Sequence, residues 1–361
     1  MFVADRIRVL IADDSALMRK ALKEIIMTDE SLDVVGTARD GQDAVEKAHD
    51  LKPDVITMDI NMPVMDGLTS MQYILNDYPE VPVLIISSLT TEGALTTFEA
   101  LELGAFDYVA KPSGTVSSNI HIVGREIIQK VKLAYKSANR KSIRDRIKRR
   151  GTAATAKKTA PLIKTGIPES AGLSKIVVIG ISTGGPGTLM EVLPMLPPEL
   201  KAALIVIQHM PPSFTASFAK RLDNACLLPF KEAEAGDILQ DGRGYLAPGG
   251  YQLVARREGG MLRLSNSPKT VFMPSVNVTM ESVLDAYGGK NVIGVLMTGM
   301  GDDGADAMVK IRRAGGVTIA EDESTAVVFG MPREAIERGG AEIVAPSYRI
   351  PDEIVRAVNR K

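Results

Sequence analysis

Cysteine is nearly missing from this chain. Cys226 stands alone, so no internal disulfide framework can exist, and a reducing compartment is expected. No apolar run approaches the roughly 20 residues needed to span a bilayer. Met1–Val9 has no basic flank leading into an apolar core, so no secretory leader is expected either. The formal net charge is only −1, which leaves no overall field to draw in nucleic acid or an anionic membrane. Histidine is scarce too: His49, His121 and His209 are the whole supply, which narrows any search for a base. The expectation is a cytoplasmic, soluble protein with no nucleic-acid partner and no membrane insertion. At 361 residues it is about twice the usual domain size, so two domains are expected.

What is present is α/β alternation. Strand-like runs at Arg8–Ile11, Val34–Ala38, Val55–Met58, Val83–Ser87 and Tyr108–Ala110 alternate with helical spacing at Ser15–Met27, Gly41–Asp50, Gly67–Asp77 and Gly93–Leu103. That pattern implies a doubly wound (βα)5 unit with a parallel sheet over residues 5–130. A basic stretch follows, with ten Lys or Arg between Lys136 and Lys158 against one acid, Asp145. With no sustained apolar period, residues 131–173 read as a solvated linker. From 174 to 361 the alternation resumes, implying a second doubly wound, mostly parallel α/β sheet. Pro248-Gly249-Gly250 reads as the turn of a β-hairpin interrupting it.

In doubly wound sheets, polar groups at the carboxyl ends of strands converge on one crevice. Asp13 and Asp14 end the first strand, Asp59 the third, Ser87 the fourth and Lys111 the fifth. Converging carboxylates repel one another unless a hard cation such as Mg²⁺ sits among them. A carboxylate beside such a cation can attack a phosphoryl group and become an acyl phosphate. The Lys111 ammonium and Ser87 hydroxyl could then hold the new oxygens. Asp13-Asp14-Ser15 would also serve simply as a helix N-cap.

The second half offers Gly180-Ile181-Ser182-Thr183-Gly184, a G-x-S-x-G turn between a strand and a helix that exposes a serine beside helix N-terminal N–H groups. A glycine-rich turn could hold a phosphate instead, but no glycine set in 180–187 satisfies G-x-G-x-x-G. A serine needs a base, and His209 ends the strand Ala203–Ile207 of the same domain. The base needs an orienter, and Asp302 or Asp303 lies in the glycine-rich turn after Val292–Met297. Both acids could also merely cap the next helix. Cys226 and the methionines read as packing.

The order Asp-Asp, Asp, Ser, Lys-Pro resembles the receiver domain of bacterial response regulators. That resemblance implies Asp59 as phosphoryl acceptor, with Asp13, Asp14, Asp59 and Asn61 around Mg²⁺, and Ser87, Tyr108 and Lys111 as the switch set. Gly180–Gly185, Gln208–Pro212, Thr298–Gly304 and Val328–Glu334 resemble the catalytic domain of the chemotaxis protein-glutamate methylesterases, the CheB family, in which a receiver precedes this domain. The likeness implies Ser182 as nucleophile, His209 as base, Asp303 as orienting acid, and Thr183 and Met300 at the oxyanion. It further implies hydrolysis of glutamyl γ-methyl esters, and deamidation of glutamines, on methyl-accepting chemoreceptors. A histidine kinase would supply the phosphoryl group, and the esterase itself would need no cofactor. Two departures stand out: Asp302 where the family often has Asn, and Met273-Pro274-Ser275-Val276-Asn277 where Arg-Pro-Ser-Val-Asp is familiar.

Overall fold

A computed structural model describes residues 6–112, 120–148, 173–256 and 261–360. The chain divides near residue 155 into two compact units. In the first, β1 (Ile7–Ala12), β2 (Leu32–Ala38), β3 (Val55–Met58), β4 (Val83–Ser87) and β5 (Asp107–Ala110) form a five-stranded sheet in the order β2-β1-β3-β4-β5. Every pairing in it is parallel. Such a sheet is covered on both faces, which is why its strands read as continuous apolar runs: Val55, Ile56 and Met58 are all fully buried. The helices are α1 (Ala16–Ile26), α2 (Gly41–Leu51), α3 (Gly67–Asp77), α4 (Thr91–Leu103) and α5 (Gly124–Lys148). Their starts are set by side chains: Ser15, Asp40, Asp66 and Thr90 each accept a hydrogen bond from a backbone N–H three residues on.

Helix α5 moves the expected boundary at residue 130. Ile127, Val131 and Ala134, at i, i+4 and i+7, are fully buried in the core of the first unit. The stretch read as linker from residue 131 therefore opens as helix, and residues 149–172 lie outside those described.

One loop of this unit is strained. Val64, between β3 and α3, has φ +66° with its side chain exposed. A left-handed residue with a Cβ costs about 1–2 kcal/mol, and no burial of the valine offsets that. Glycine would relieve it at an unfolded-state cost of about 0.5–1 kcal/mol. Val64→Gly should therefore raise the unfolding free energy by about 0.5–1 kcal/mol. Denaturant unfolding of the full chain measures this, and a less stable variant would contradict it.

In the second unit a seven-stranded sheet runs β14-β13-β12-β6-β7-β9-β8, and all its pairings are parallel. The strands are β6 (Ile176–Ile181), β7 (Ala203–Gln208), β8 (Phe230–Glu232), β9 (Gly244–Leu246), β12 (Val292–Leu296), β13 (Val317–Glu321) and β14 (Ile343–Ala345). Chain order reverses at β6, which has β12 on one side and β7 on the other, so β6 is the topological switch point. The expected hairpin exists but lies elsewhere. Gly244–Leu246 pairs in parallel with β7 and β8, so Pro248-Gly249-Gly250 leads out of the sheet rather than turning a hairpin. The hairpin pairs β10 (Gln252–Ala255) with β11 (Leu262–Ser265) as a separate two-stranded sheet. Helices α6 (Gly185–Val192), α7 (Pro212–Ala225), α8 (Val276–Tyr287), α9 (Ala305–Arg313), α10 (Met331–Glu337) and α11 (Ile350–Asn359) complete the unit. No helix among the described residues is long and apolar enough to cross a membrane.

Candidate functional site

The first sheet's switch point lies between β1 and β3, and there Asp13 and Asp59 meet Lys111 from β5. The Lys111 ammonium lies 3.0 Å from Asp13 Oδ2 and 2.8 Å from Asp59 Oδ2. Asp13, Asp14 and Asp59 each bring an oxygen within 4.8 Å of the others, with Asp14 exposed and the other two buried. Burial raises the Asp13 pKa, and the Asp59 carboxylate beside it pushes the same way against Lys111. For Lys111, burial disfavours the ammonium, but Asp59 and then Asp13 outweigh it and its pKa rises. Hard oxygen donors this close, two of them buried, fit a divalent cation such as Mg²⁺. Asn61 is exposed.

Ser87 ends β4 and Tyr108 lies in β5. The Ser87 hydroxyl donates to the carbonyl of Gly93 at 3.1 Å and accepts from Thr97 Oγ1 at 2.6 Å. Tyr108 is buried, and burial raises its pKa well above the usual phenol range. Lys130, on α5, lies 5.3 Å from the Tyr108 ring centroid, and its ammonium pairs with Asp107 at 2.9 Å and Glu126 at 3.0 Å. Nothing in the residue pattern pointed to Lys130, because it sits among many charges where the tertiary partner alone distinguishes it.

In the second unit, three neighbouring strands at the centre of the sheet deliver Ser182, His209 and Asp303. Ser182 follows β6, His209 follows β7, and Asp303 lies in the loop after β12. Gly184 turns the chain at φ +74°, where a side chain would be strained, so helix α6 can begin at Gly185. His209 Nδ1 is 3.1 Å from Ser182 Oγ, and His209 Nε2 is 2.8 Å from Asp303 Oδ2. An ionised carboxylate only accepts, so Nε2 carries the hydrogen and Nδ1 is left to accept from Ser182. That is the reverse of the nitrogen order in trypsin-like proteases. The Gln208 amide ties the pair's backbones together, donating to the carbonyls of Ser182 and His209, each at 3.0 Å.

Asp303 is seated at the start of α8. It accepts from Ser275 Oγ at 2.8 Å, from Val276 N–H at 2.7 Å and from Asn277 N–H at 3.0 Å. Burial works to raise its pKa, but the hydrogen bond and charge of His209 and the N–H groups of Asn277 and Val276 outweigh burial, and the pKa is lowered. The altered segment Met273–Asn277 thus supplies the seat of the acid rather than disturbing it. Asp302 points elsewhere: it is exposed and meets Arg338 Nη2 at 2.6 Å. Asp302→Asn should change activity by no more than about fivefold, as surface pairs contribute about 0–1 kcal/mol. A larger loss of activity would contradict that separation of the two acids.

Gly299 lies against Ser182, since a Cβ there would come 2.9 Å from Ser182 Cβ. The N–H groups of Thr183 and Met300 have no hydrogen-bond acceptor among the described residues. Sequence reasoning missed Phe272, whose ring stacks on His209 with centroids 4.0 Å apart and planes 7° from parallel.

Fold and site together define a response regulator whose second unit is built as a hydrolase. The family model described as response regulator receiver domain matches residues 9–118, and that described as CheB methylesterase matches residues 177–354. A protein-glutamate methylesterase/protein-glutamine glutaminase of Caldanaerobacter subterraneus subsp. tengcongensis is 54% identical over 364 residues, covering 98% of this chain and 97% of its own. One from Pyrococcus abyssi is 45% identical over 356 residues, covering 98% and 94%. The crystal structure of the Thermotoga maritima CheB methylesterase catalytic domain is 43% identical, covering 51% of this chain and 98% of its own, with a TM-score of 0.49. The chain belongs to the CheB family of receiver-linked protein-glutamate methylesterases/protein-glutamine glutaminases, and it is an enzyme of that class.

Proposed function

We propose that this chain hydrolyses glutamyl γ-methyl esters, and deamidates glutamines, on methyl-accepting chemoreceptors by a Ser-His-Asp mechanism that its receiver controls. The observation that carries the chemistry is the unbroken line from Ser182 Oγ through His209 to Asp303, at 3.1 and 2.8 Å. Ser182 Oγ attacks the γ-carbonyl carbon as His209 Nδ1 takes its proton. The oxyanion that forms is met by the N–H groups of Thr183 and Met300. His209 then protonates the departing methoxide, and methanol leaves a glutamyl ester on Ser182. Water attacks that ester with His209 again as base, freeing the glutamate carboxylate and restoring the serine hydroxyl. With glutamine, ammonia leaves by the same route.

The receiver side rests on Asp59, which is nucleophile to a phosphoryl group donated by a histidine kinase. Mg²⁺ held by Asp13, Asp14, Asp59 and Asn61 would neutralise the charge gathered there. Lys111 would move its ion pair from the Asp59 carboxylate to a phosphoryl oxygen, and Ser87 and Tyr108 would rearrange with it. Receptor substrate and kinase donor both place the enzyme in the cytoplasm. The test is methanol release from methylated chemoreceptor membranes set beside release from a free small methyl ester. Receptor-preferring release is expected; equal turnover of the free ester would move the second unit to a general esterase.

A further inference from the structure

The hairpin β10–β11 and the loop that follows it reach both the acid behind the base and the face of its ring. Gln252, fully buried at the start of β10, donates through Nε2 to the carbonyl of Pro268 at 3.1 Å and to Thr270 Oγ1 at 2.7 Å. The same nitrogen lies 3.4 Å from the carbonyl of Phe272, while Oε1 accepts from Ser275 N–H at 2.8 Å. One amide thus ties down four residues of a single loop. That loop ends in Ser275–Asn277, which hold Asp303, and carries Phe272, which lies flat on the His209 ring. The Thr279 hydroxyl fastens α8 to the hairpin through the carbonyl of Leu253 at 2.8 Å.

An imidazole gripped at Nδ1 and Nε2 can still tilt about the line joining its two partners. A ring stacked on its face removes that freedom. It also favours the imidazolium that forms during attack, since a cation over an aromatic face is stabilised. We infer that Phe272 is a positioning residue for the base: held by the Gln252-anchored loop, it fixes the plane of the His209 ring and favours its charged form in the transition state. The inference rests on the reading of His209 as base to Ser182.

The test uses the full chain with Phe272→Leu, Phe272→Tyr and Ser182→Ala, reading methanol release from receptor membranes. Phe272→Leu keeps an apolar cover but loses the π face, and kcat should fall about 10-fold with KM within about twofold. Phe272→Tyr keeps the face and should stay within about twofold of the parent. Histidine ring protons in a ¹H–¹³C spectrum give a second readout, and only three histidines need assignment. The His209 signals should lie upfield in the parent and in Phe272→Tyr, and return downfield in Phe272→Leu. Parental kcat in Phe272→Leu, equal losses in both variants, or no upfield shift in the parent would each overturn the inference. The shift needs only the parent protein, so it holds even if the leucine variant folds poorly. Full activity in Ser182→Ala would instead sink the underlying serine mechanism.

Discussion

Ser182→Ala is expected to lower kcat for methanol release on the order of a million-fold, leaving the fold intact. The size follows from how much of the reaction passes through one oxygen. Without Oγ there is no covalent step, and His209 would have to activate water in a site shaped around a serine. No second nucleophile stands ready: Cys226, the only cysteine, is buried beyond the end of α7. Nor is there a second base of the same kind, since His49 and His121 both lie exposed in the first unit. What remains should be the residual effect of binding and the free N–H groups, about 10³–10⁴ over water. Replacing a half-buried hydroxyl by hydrogen leaves no cavity, so an unchanged melting temperature with turnover gone is the predicted pair of results. Appreciable turnover in the alanine variant would refute the nucleophile.

Asp303→Asn should cost about 10⁴-fold in kcat. Each carboxylate oxygen accepts twice: Oδ1 from Ser275 Oγ and Asn277 N–H, Oδ2 from His209 Nε2 and Val276 N–H. An asparagine has one acceptor oxygen, so whichever way the amide turns, its NH₂ faces two donors. Turned toward the histidine, it forces Nε2 to accept and moves the hydrogen to Nδ1, which then cannot take the proton of Ser182. Turned the other way, it opposes Ser275 and Asn277 at the start of α8. Leaving these donors unpaired should also cost about 1–3 kcal/mol of stability, readable by denaturant unfolding. Because the Asp303 pKa is lowered in the folded state, its own contribution is full above the unfolded value of 3.8 and fades as pH falls through the folded one. Near-parental turnover in Asp303→Asn would mean that the tautomer is set by something else.

Ser182, His209 and the Asp302-Asp303 pair were legible in the sequence for a physical reason. Each follows a strongly apolar strand, and strand ends are where a parallel sheet gathers its chemistry. Residue type alone left Asp302 and Asp303 equal; only the loop's course separates them, sending one to Arg338 and the other to His209. Phe272 and Gln252 carry no such signal, because a stacked ring and a buried amide act through neighbours remote in sequence. Helix α5 had its signal at Ile127, Val131 and Ala134, but the charge run that begins within it at Lys136 masked its continuation. Pro248-Gly249-Gly250 has turn chemistry in full, and what it could not reveal was that the preceding strand pairs in parallel inside the sheet. Strands β8 and β14, with three residues each, are too short to show alternation.

Phosphorylation at Asp59 is proposed to govern hydrolysis at Ser182. The measurement that tests it most directly is methanol release from methylated chemoreceptor membranes by the full chain, with and without a small-molecule phosphodonor and Mg²⁺, beside Asp59→Ala. Faster release with the phosphodonor in the parent, and none of that stimulation in Asp59→Ala, is the predicted result. Equal rates with and without the phosphodonor, under conditions where Asp59 is shown to be phosphorylated, would contradict the claim.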